Sequence, residues 1–135
     1  GHLIKNIALQ SLKKKPKIEI YGNNYKTKDG TCIRDFIHVS DLVDIHLKSL
    51  EYLKDKKKSC ILNCGYGKGY SVKEIVDIFK KTKKNLRISY SKRRPGDVDK
   101  VYSNNQKIKK ILKWKPKHNN IQKIIKSAIN WEKKI

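Results

Sequence analysis

Arginine and carboxylate recur side by side at two places in this chain, and such pairs can hold a phosphorylated ligand. The first place is Asp29-Gly30-Thr31-Cys32-Ile33-Arg34-Asp35-Phe36-Ile37-His38-Val39-Ser40-Asp41-Leu42, and the second is Arg93-Arg94-Pro95-Gly96-Asp97. A guanidinium is a planar fork of N–H donors that matches phosphate oxygens, and its charge-assisted bonds are stronger than neutral ones. Two forks brought to one point would hold a diphosphate. Pro95-Gly96 reads as a turn that lets Arg94 and Asp97 face the same ligand. A lone Arg-Asp neighbour is more often a structural ion pair; two such blocks in this order point to binding.

Other signals are weaker. Cys64-Gly65-Tyr66-Gly67-Lys68-Gly69-Tyr70-Ser71 mimics a phosphate loop, but its lysine does not fall at a helix start as Gly-x-x-x-x-Gly-Lys-Ser/Thr requires. It reads as a strand-to-helix turn. His38, in an extended apolar run, and His46, on a helical apolar stripe, read as core histidines. His2 and His118 add no ligand spacing, so no metal site is expected. Trp114 and Trp131 read as core anchors. Asp35 and Asp41 look like paired carboxylates, but Asp41 falls in a helix's first turn, where its charge complements the dipole.

The elements that must position these residues follow from periodicity. Residues 3–12 carry Ile4, Ile7, Ala8, Ser11 and Leu12 on one helical face, ending before Pro16. Lys17 to Tyr21 alternates and stops at Gly22-Asn23-Asn24, a strand and turn. Cys32 to Val39 is extended, and Ser40 caps a helix with the stripe Leu42, Ile45, His46, Leu50 and Leu53. Ser59 to Cys64 reads as a buried strand. Ser71 and Glu74 form a capping box over a helix with Val72, Ile75, Val76 and Phe79 on one face. Leu86 to Tyr90 is a strand leading into Arg93-Arg94, and helices over 104–112 and 119–133 flank Trp114-Lys115-Pro116. Strand–helix alternation argues for an α/β fold, read as one unit over residues 1–135. The strands are too few for a complete doubly wound sheet, so exposed sheet edge and apolar surface are expected.

At 135 residues the chain suits one modest core. It has no Met and begins with Gly1, and so reads as a processed or partial product. No run of eighteen apolar residues and no signal peptide points to a membrane or to export. If Cys60 and Cys64 share a strand, their Cα atoms lie roughly 13 Å apart, whereas a disulfide needs less than about 7 Å. A reducing cytoplasm is the plain expectation. The formal charge of +22 makes nucleic acid a partner to weigh. Only Arg34, Arg87, Arg93 and Arg94 are arginines among the 34 basic residues, though base readout favours Arg. The lysines are scattered through every segment, which fits a solvated surface with salt-sensitive, sequence-blind polyanion binding.

The two arginine blocks closely resemble the C-terminal part of the UDP-glucose 4-epimerases, in the extended short-chain dehydrogenase/reductase superfamily. The resemblance runs from Leu3 to the last helix. It implies that Arg34 and Arg94 contact the diphosphate of a UDP-sugar and that Asp97 bonds the ribose hydroxyls. It maps the uracil site onto Glu19-Ile20-Tyr21, through strand backbone and a stacked ring, and the nucleotide end onto His2 and Leu3. Phe36 stands where the family often has Tyr, so a hydroxyl donor is lost. Val101 borders the sugar pocket, where a bulky Tyr tends to exclude N-acetylated sugars; Val leaves room. No Gly-x-x-Gly-x-x-Gly follows an N-terminal strand. The resemblance therefore implies a missing N-terminal Rossmann part that holds NAD and the catalytic tyrosine and lysine. This chain alone would be inactive, with no catalytic, cofactor-binding or metal-binding residue of its own. The implied partners are a UDP-sugar, that upstream NAD-binding domain and, for the intact enzyme, a second copy.

Two alternatives stay open: a nucleotide-sugar dehydratase or decarboxylase of the same superfamily, and a basic module binding nucleic acid. The Asp29-Gly30-Thr31-x-x-Arg34-Asp35 run favours the epimerase.

Overall fold

A computed structural model describes residues 2–135. Its elements run α1 (Leu3–Ser11), β1 (Lys17–Tyr21), β2 (Ile33–Asp35), α2 (Val39–Lys56), β3 (Gly69–Ser71), α3 (Val72–Thr82), β4 (Arg87–Ser91), β5 (Lys100–Val101), α4 (Gln106–Leu112) and α5 (Ile121–Glu132). β1 and β4 pair in parallel, with Ile18 beside Ile88 and Ile20 beside Tyr90. In a second small sheet β2 lies between antiparallel β3 and parallel β5.

Alternation decides how β1 sits: Ile18 and Ile20 are buried, while Lys17 and Glu19 face water. α1 covers them with fully buried Ile7 and Ala8 and packs against α5. α3 supplies Ile75, Val76 and Phe79 to the same core, and α5 supplies Ile121, Ile124 and Ile125. Trp114 is buried, its ring lying parallel to that of Tyr66 with centroids 6.2 Å apart.

The capping box of α3 is formed as the sequence demands. Glu74 N–H donates to the Ser71 hydroxyl oxygen at 3.0 Å, and Ser71 N–H donates to the Glu74 carboxylate at 2.7 Å. The Ser71 hydroxyl also donates to the Asp29 carboxylate, which ties the start of the first arginine block to α3. Burial opposes ionisation of Asp29, but the hydrogen bonds from Ser71 and Thr31 outweigh it and hold the carboxyl below the usual carboxylate range. Ser71→Ala is expected to cost about 1–2 kcal/mol, read as a lower denaturation midpoint; an unchanged midpoint would mean the cap is dispensable.

Several expectations are corrected. Residues 59–64 form no strand; Ile61 is 87% exposed and Cys60 and Cys64 lie on irregular, exposed chain. A strand exists only beside a hydrogen-bonded neighbour, and the described residues provide none there. α2 begins one residue before Ser40: His38 is its N-cap, with Nδ1 accepting from Ser40 N–H at 3.1 Å. Of the expected α2 stripe only Ile45 is buried; Leu50 and Leu53 are exposed, and His46 is an exposed side chain bonded to the Leu42 carbonyl. Leu12 falls beyond α1 and is exposed. Trp131 is 64% exposed, not a core anchor. An apolar repeat records that a helix has two unlike faces, but which face is covered depends on what packs there.

Candidate functional site

Arg94-Pro95-Gly96-Asp97 closes as a type II turn. Asp97 N–H donates to the Arg94 carbonyl at 3.2 Å, and Gly96 takes φ 80°. Proline fixes φ at the second position, and glycine alone adopts the left-handed third position without strain. The turn hangs between β4 and β5, and β5 runs beside β2 with Val101 opposite Arg34. Two blocks distant in sequence thus meet. Arg34 Nη2 lies 3.2 Å from Asp97 Oδ1, and Nη1 donates to the carbonyls of Ile33 (2.8 Å) and Val98 (2.9 Å).

Arg94 takes a different partner. Its guanidinium lies over the Tyr21 ring, 3.9 Å from the centroid, and among the described residues no carboxylate lies within ion-pair distance of it. Tyr21 is pinned at its far end, its hydroxyl donating to Glu19 Oε2 at 2.9 Å. The Ser91 hydroxyl donates to the other Glu19 oxygen, and the Ser91 and Tyr21 bonds hold the Glu19 carboxyl below its ordinary value. Arg34, Asp97, Arg94, Tyr21 and Glu19 therefore form one connected cluster.

The remaining expected residues sit around it unevenly. Ile20 points its side chain into the core, and the parallel register, with Pro16 O accepting from Arg87 N–H and Gly22 N–H donating to Ser91 O, turns its backbone toward β4. The backbone of Glu19 and Tyr21 faces the other edge of β1, which no strand covers among the described residues. Phe36 is half-buried against the core, and Val101 is 51% exposed beside Arg34. His2 is the exposed N-cap of α1, and Leu3 packs against the core. No hydrogen bond or ion pair among the described residues joins these two to Arg34, Arg94 or Asp97. An open cleft of about 620 Å³ lies next to the cluster, between Gly22–Asn24 and Tyr90–Arg93.

Sequence reasoning named Asp35, Asp41 and His38 but not the bonds by which they brace the candidate site. Asp35 accepts from the amides of Tyr66 (3.2 Å), Gly67 (3.0 Å) and Ser103 (3.3 Å) and from the Ser103 hydroxyl (3.0 Å). The amides of the loop that mimics a phosphate cradle are thus occupied by a carboxylate of the same chain. Asp41, 1% exposed, does more than complement a helix dipole. It accepts from the Tyr66 hydroxyl (2.6 Å) and the amides of Lys117 and His118. His38 is buried at the same place with its ring stacked on His118, centroids 4.6 Å apart; burial and that neighbour lower its pKa. The Tyr-x-x-x-Lys spacing of the catalytic tyrosine and lysine, expected to be missing from this chain, does occur at Tyr52 and Lys56, late in α2. The Tyr52 ring packs on the core and Lys56 lies in the helix's last turn, where a cation complements the dipole. No local signal marks the partners of the bracing residues, because Asp35 and Asp41 lie 31 and 25 residues from the Tyr66 groups they bind.

The architecture defines a class: an α/β fold matching the C-terminal part of extended short-chain dehydrogenases/reductases. The chain belongs to the family described as GDP-mannose 4,6 dehydratase, whose model matches residues 1–128. It is 48% identical over 119 residues to UDP-arabinose 4-epimerase 1 of Arabidopsis thaliana, covering 87% of this chain and 28% of that protein. Its fold matches the UDP-Glc/GlcNAc 4-epimerase from Campylobacter jejuni with TM-score 0.85 and 43% identity, over 98% of this chain and 40% of that one. It also matches the UDP-glucose 4-epimerase from Bifidobacterium longum, a complex with NAD+ and UDP, with TM-score 0.79 and 32% identity over 97% and 38% of the two chains. The chain spans 27% to 40% of the lengths of the curated relatives it matches.

NAD is the cofactor of this family. The glycine-rich turn between residues 64 and 71 does not fit it: its Tyr66 and Gly67 amides are bonded to Asp35, and that carboxylate would repel a dinucleotide's diphosphate. No helix of the described residues is long and apolar enough to cross a membrane.

Proposed function

We propose that this chain is the UDP-sugar-holding portion of a nucleotide-sugar 4-epimerase that interconverts UDP-glucose and UDP-galactose through a 4-keto sugar. One observation carries the reading: Arg34 meets Asp97 at 3.2 Å while Arg94, on the same turn as Asp97, rests on Tyr21. In this reading the free edge of β1 and the Tyr21 ring take uracil, and Glu19 holds that ring in place. Arg34 and Arg94 neutralise the diphosphate, and Asp97 accepts from the ribose hydroxyls. Leu3 and His2 close the nucleotide end. Phe36 and Val101 border the sugar, and Val101 leaves space for an N-acetyl group.

The redox step belongs to NAD held by an upstream part, and the chain alone is inactive. Val39, Val43, Leu47 and Leu50, each more than half exposed along one stripe of α2, and Ile61 offer the apolar face on which that part docks. The intact enzyme would act in the cytoplasm, as a homodimer. A second reading, a nucleotide-sugar dehydratase, is favoured by the description of the matching family. A product assay on the intact protein separates them: inversion at C4 for an epimerase, loss of water for a dehydratase.

The binding half of the proposal is tested by calorimetric titration of UDP into the folded chain, with duplex DNA as a control at physiological salt. Saturable, stoichiometric UDP binding with none of DNA is expected. A folded chain that ignores UDP but holds DNA would sink the reading.

A further inference from the structure

The Arg93-Arg94 pair divides its labour. Successive side chains on extended chain point opposite ways, and here they meet unlike surroundings. Arg94 lies over Tyr21, its donors bonded to no other residue of the described chain. Arg93 turns back into the protein. Its guanidinium lies over the Tyr25 ring, 4.1 Å from the centroid; Nε donates to Asn24 Oδ1 at 2.7 Å, and Nη2 donates to the Asn24 carbonyl. Nη1 is 3.9 Å from Asp99 Oδ1. Tyr25 is 3% exposed. Gly22, at φ 82°, completes the seat: a Cβ there would lie 2.8 Å from Arg93 Cγ and 2.4 Å from the Tyr25 ring. The Asp99 carboxylate also accepts from Lys26 N–H at 3.1 Å, and its carbonyl accepts from Ile33 N–H at 2.9 Å, next to Arg34.

We propose that Arg93 is a positioning residue: it clamps the turn after β1 to the segment between β4 and β5 and so sets where Arg94 and Asp97 stand. The ligand half of this inference rests on the nucleotide-binding reading above; the clamp itself does not. A planar fork is required, because one group must stack on Tyr25 and bond Asn24 in two directions. Lysine keeps the charge and supplies neither.

The test compares Arg93→Lys with Arg94→Ala in the same chain. Amide hydrogen exchange without ligand reads the clamp: Arg93→Lys is expected to speed exchange of the Lys26 and Asp97 amides about ten-fold, the scale of one charge-assisted bond, while the α3 amides keep their protection. Arg94→Ala leaves those rates alone. Titration with UDP, uridine and pyrophosphate then reads the consequence. Displacing Asp97 and Arg94 together weakens all three ligands for Arg93→Lys, whereas Arg94→Ala weakens the phosphate-bearing two most. Unchanged Lys26 and Asp97 exchange in Arg93→Lys overturns the clamp. A loss confined to UDP and pyrophosphate overturns the positioning role in favour of direct phosphate contact. If wild-type chain binds no UDP, the nucleotide reading falls and the exchange result still decides the clamp.

Discussion

Arg34→Ala is expected to weaken UDP binding by more than about a hundred-fold, well beyond the effect of Arg94→Ala. A charge-assisted hydrogen bond contributes roughly 1.5–3 kcal/mol, so losing Arg94 alone corresponds to about ten- to a hundred-fold. Arg34 does two things. In the proposed reading it offers a fork to the diphosphate, and in the structure it neutralises Asp97 at 3.2 Å. Alanine leaves the Asp97 carboxylate uncompensated beside an anionic ligand, so a repulsion is added to the lost attraction. Stability should hardly change, because both partners are partly exposed, with side chains 26% and 32% accessible, and such pairs contribute about 0–1 kcal/mol. Arg34→Lys should fall between, keeping charge without the fork. Calorimetry with UDP checks the order; equal affinity in wild type and Arg34→Ala would remove Arg34 from the binding site.

Asp41→Asn carries the largest expected loss of stability. The carboxylate is 1% exposed and every partner is a donor: the Tyr66 hydroxyl and the amides of Lys117 and His118. An amide group must turn its own NH2 toward one of them, which leaves a buried donor facing a donor. That costs about 2–4 kcal/mol, a drop of roughly 10 °C in Tm for a domain of this size. The loss is pH-dependent. Burial opposes the Asp41 anion, but the bonds from Tyr66, His118 and Lys117 prevail and depress its pKa in the folded chain. A depressed carboxylate pKa stabilises fully above the unfolded value, near 3.9, and that contribution fades as pH falls through the folded value. His38 acts with the same sign at higher pH: its pKa is depressed by burial and by His118, so stability declines as pH drops below about 6.5. The gap between wild type and Asp41→Asn should therefore be widest near neutrality and narrow below about pH 4. Denaturation midpoints across pH 3–8 measure it; parallel curves would show that Asp41 is not held as an anion.

How much of this was legible beforehand varies by element. The α3 helix was readable entire, because Ser71-x-x-Glu74 and the spacing of Ile75, Val76 and Phe79 are local signals and the fold obeys them. β1 was readable for the same reason. Of the candidate site, the turn was readable, with proline and glycine imposing it between Arg94 and Asp97. The stretch 59–64 was not, since an apolar run with β-forming residues states a preference that only a neighbouring strand can realise. Trp131 and the exposed stripe of α2 misled in the same way.

By itself, then, the sequence determined the α/β alternation, the capped and amphipathic elements, and the residue types able to hold a diphosphate. Those depend on spacing along the chain and on backbone geometry at Pro95 and Gly96. Only the tertiary structure decided that Arg34 would face Asp97, that Arg93 would brace Tyr25 while Arg94 lay on Tyr21, and that the glycine-rich turn would spend its amides on Asp35. The physical reason is common to all three. A side chain's partner is set by which distant segment is packed within a few ångströms of it, and adjacent identical residues, such as these two arginines, carry no local difference that could say which way each will turn.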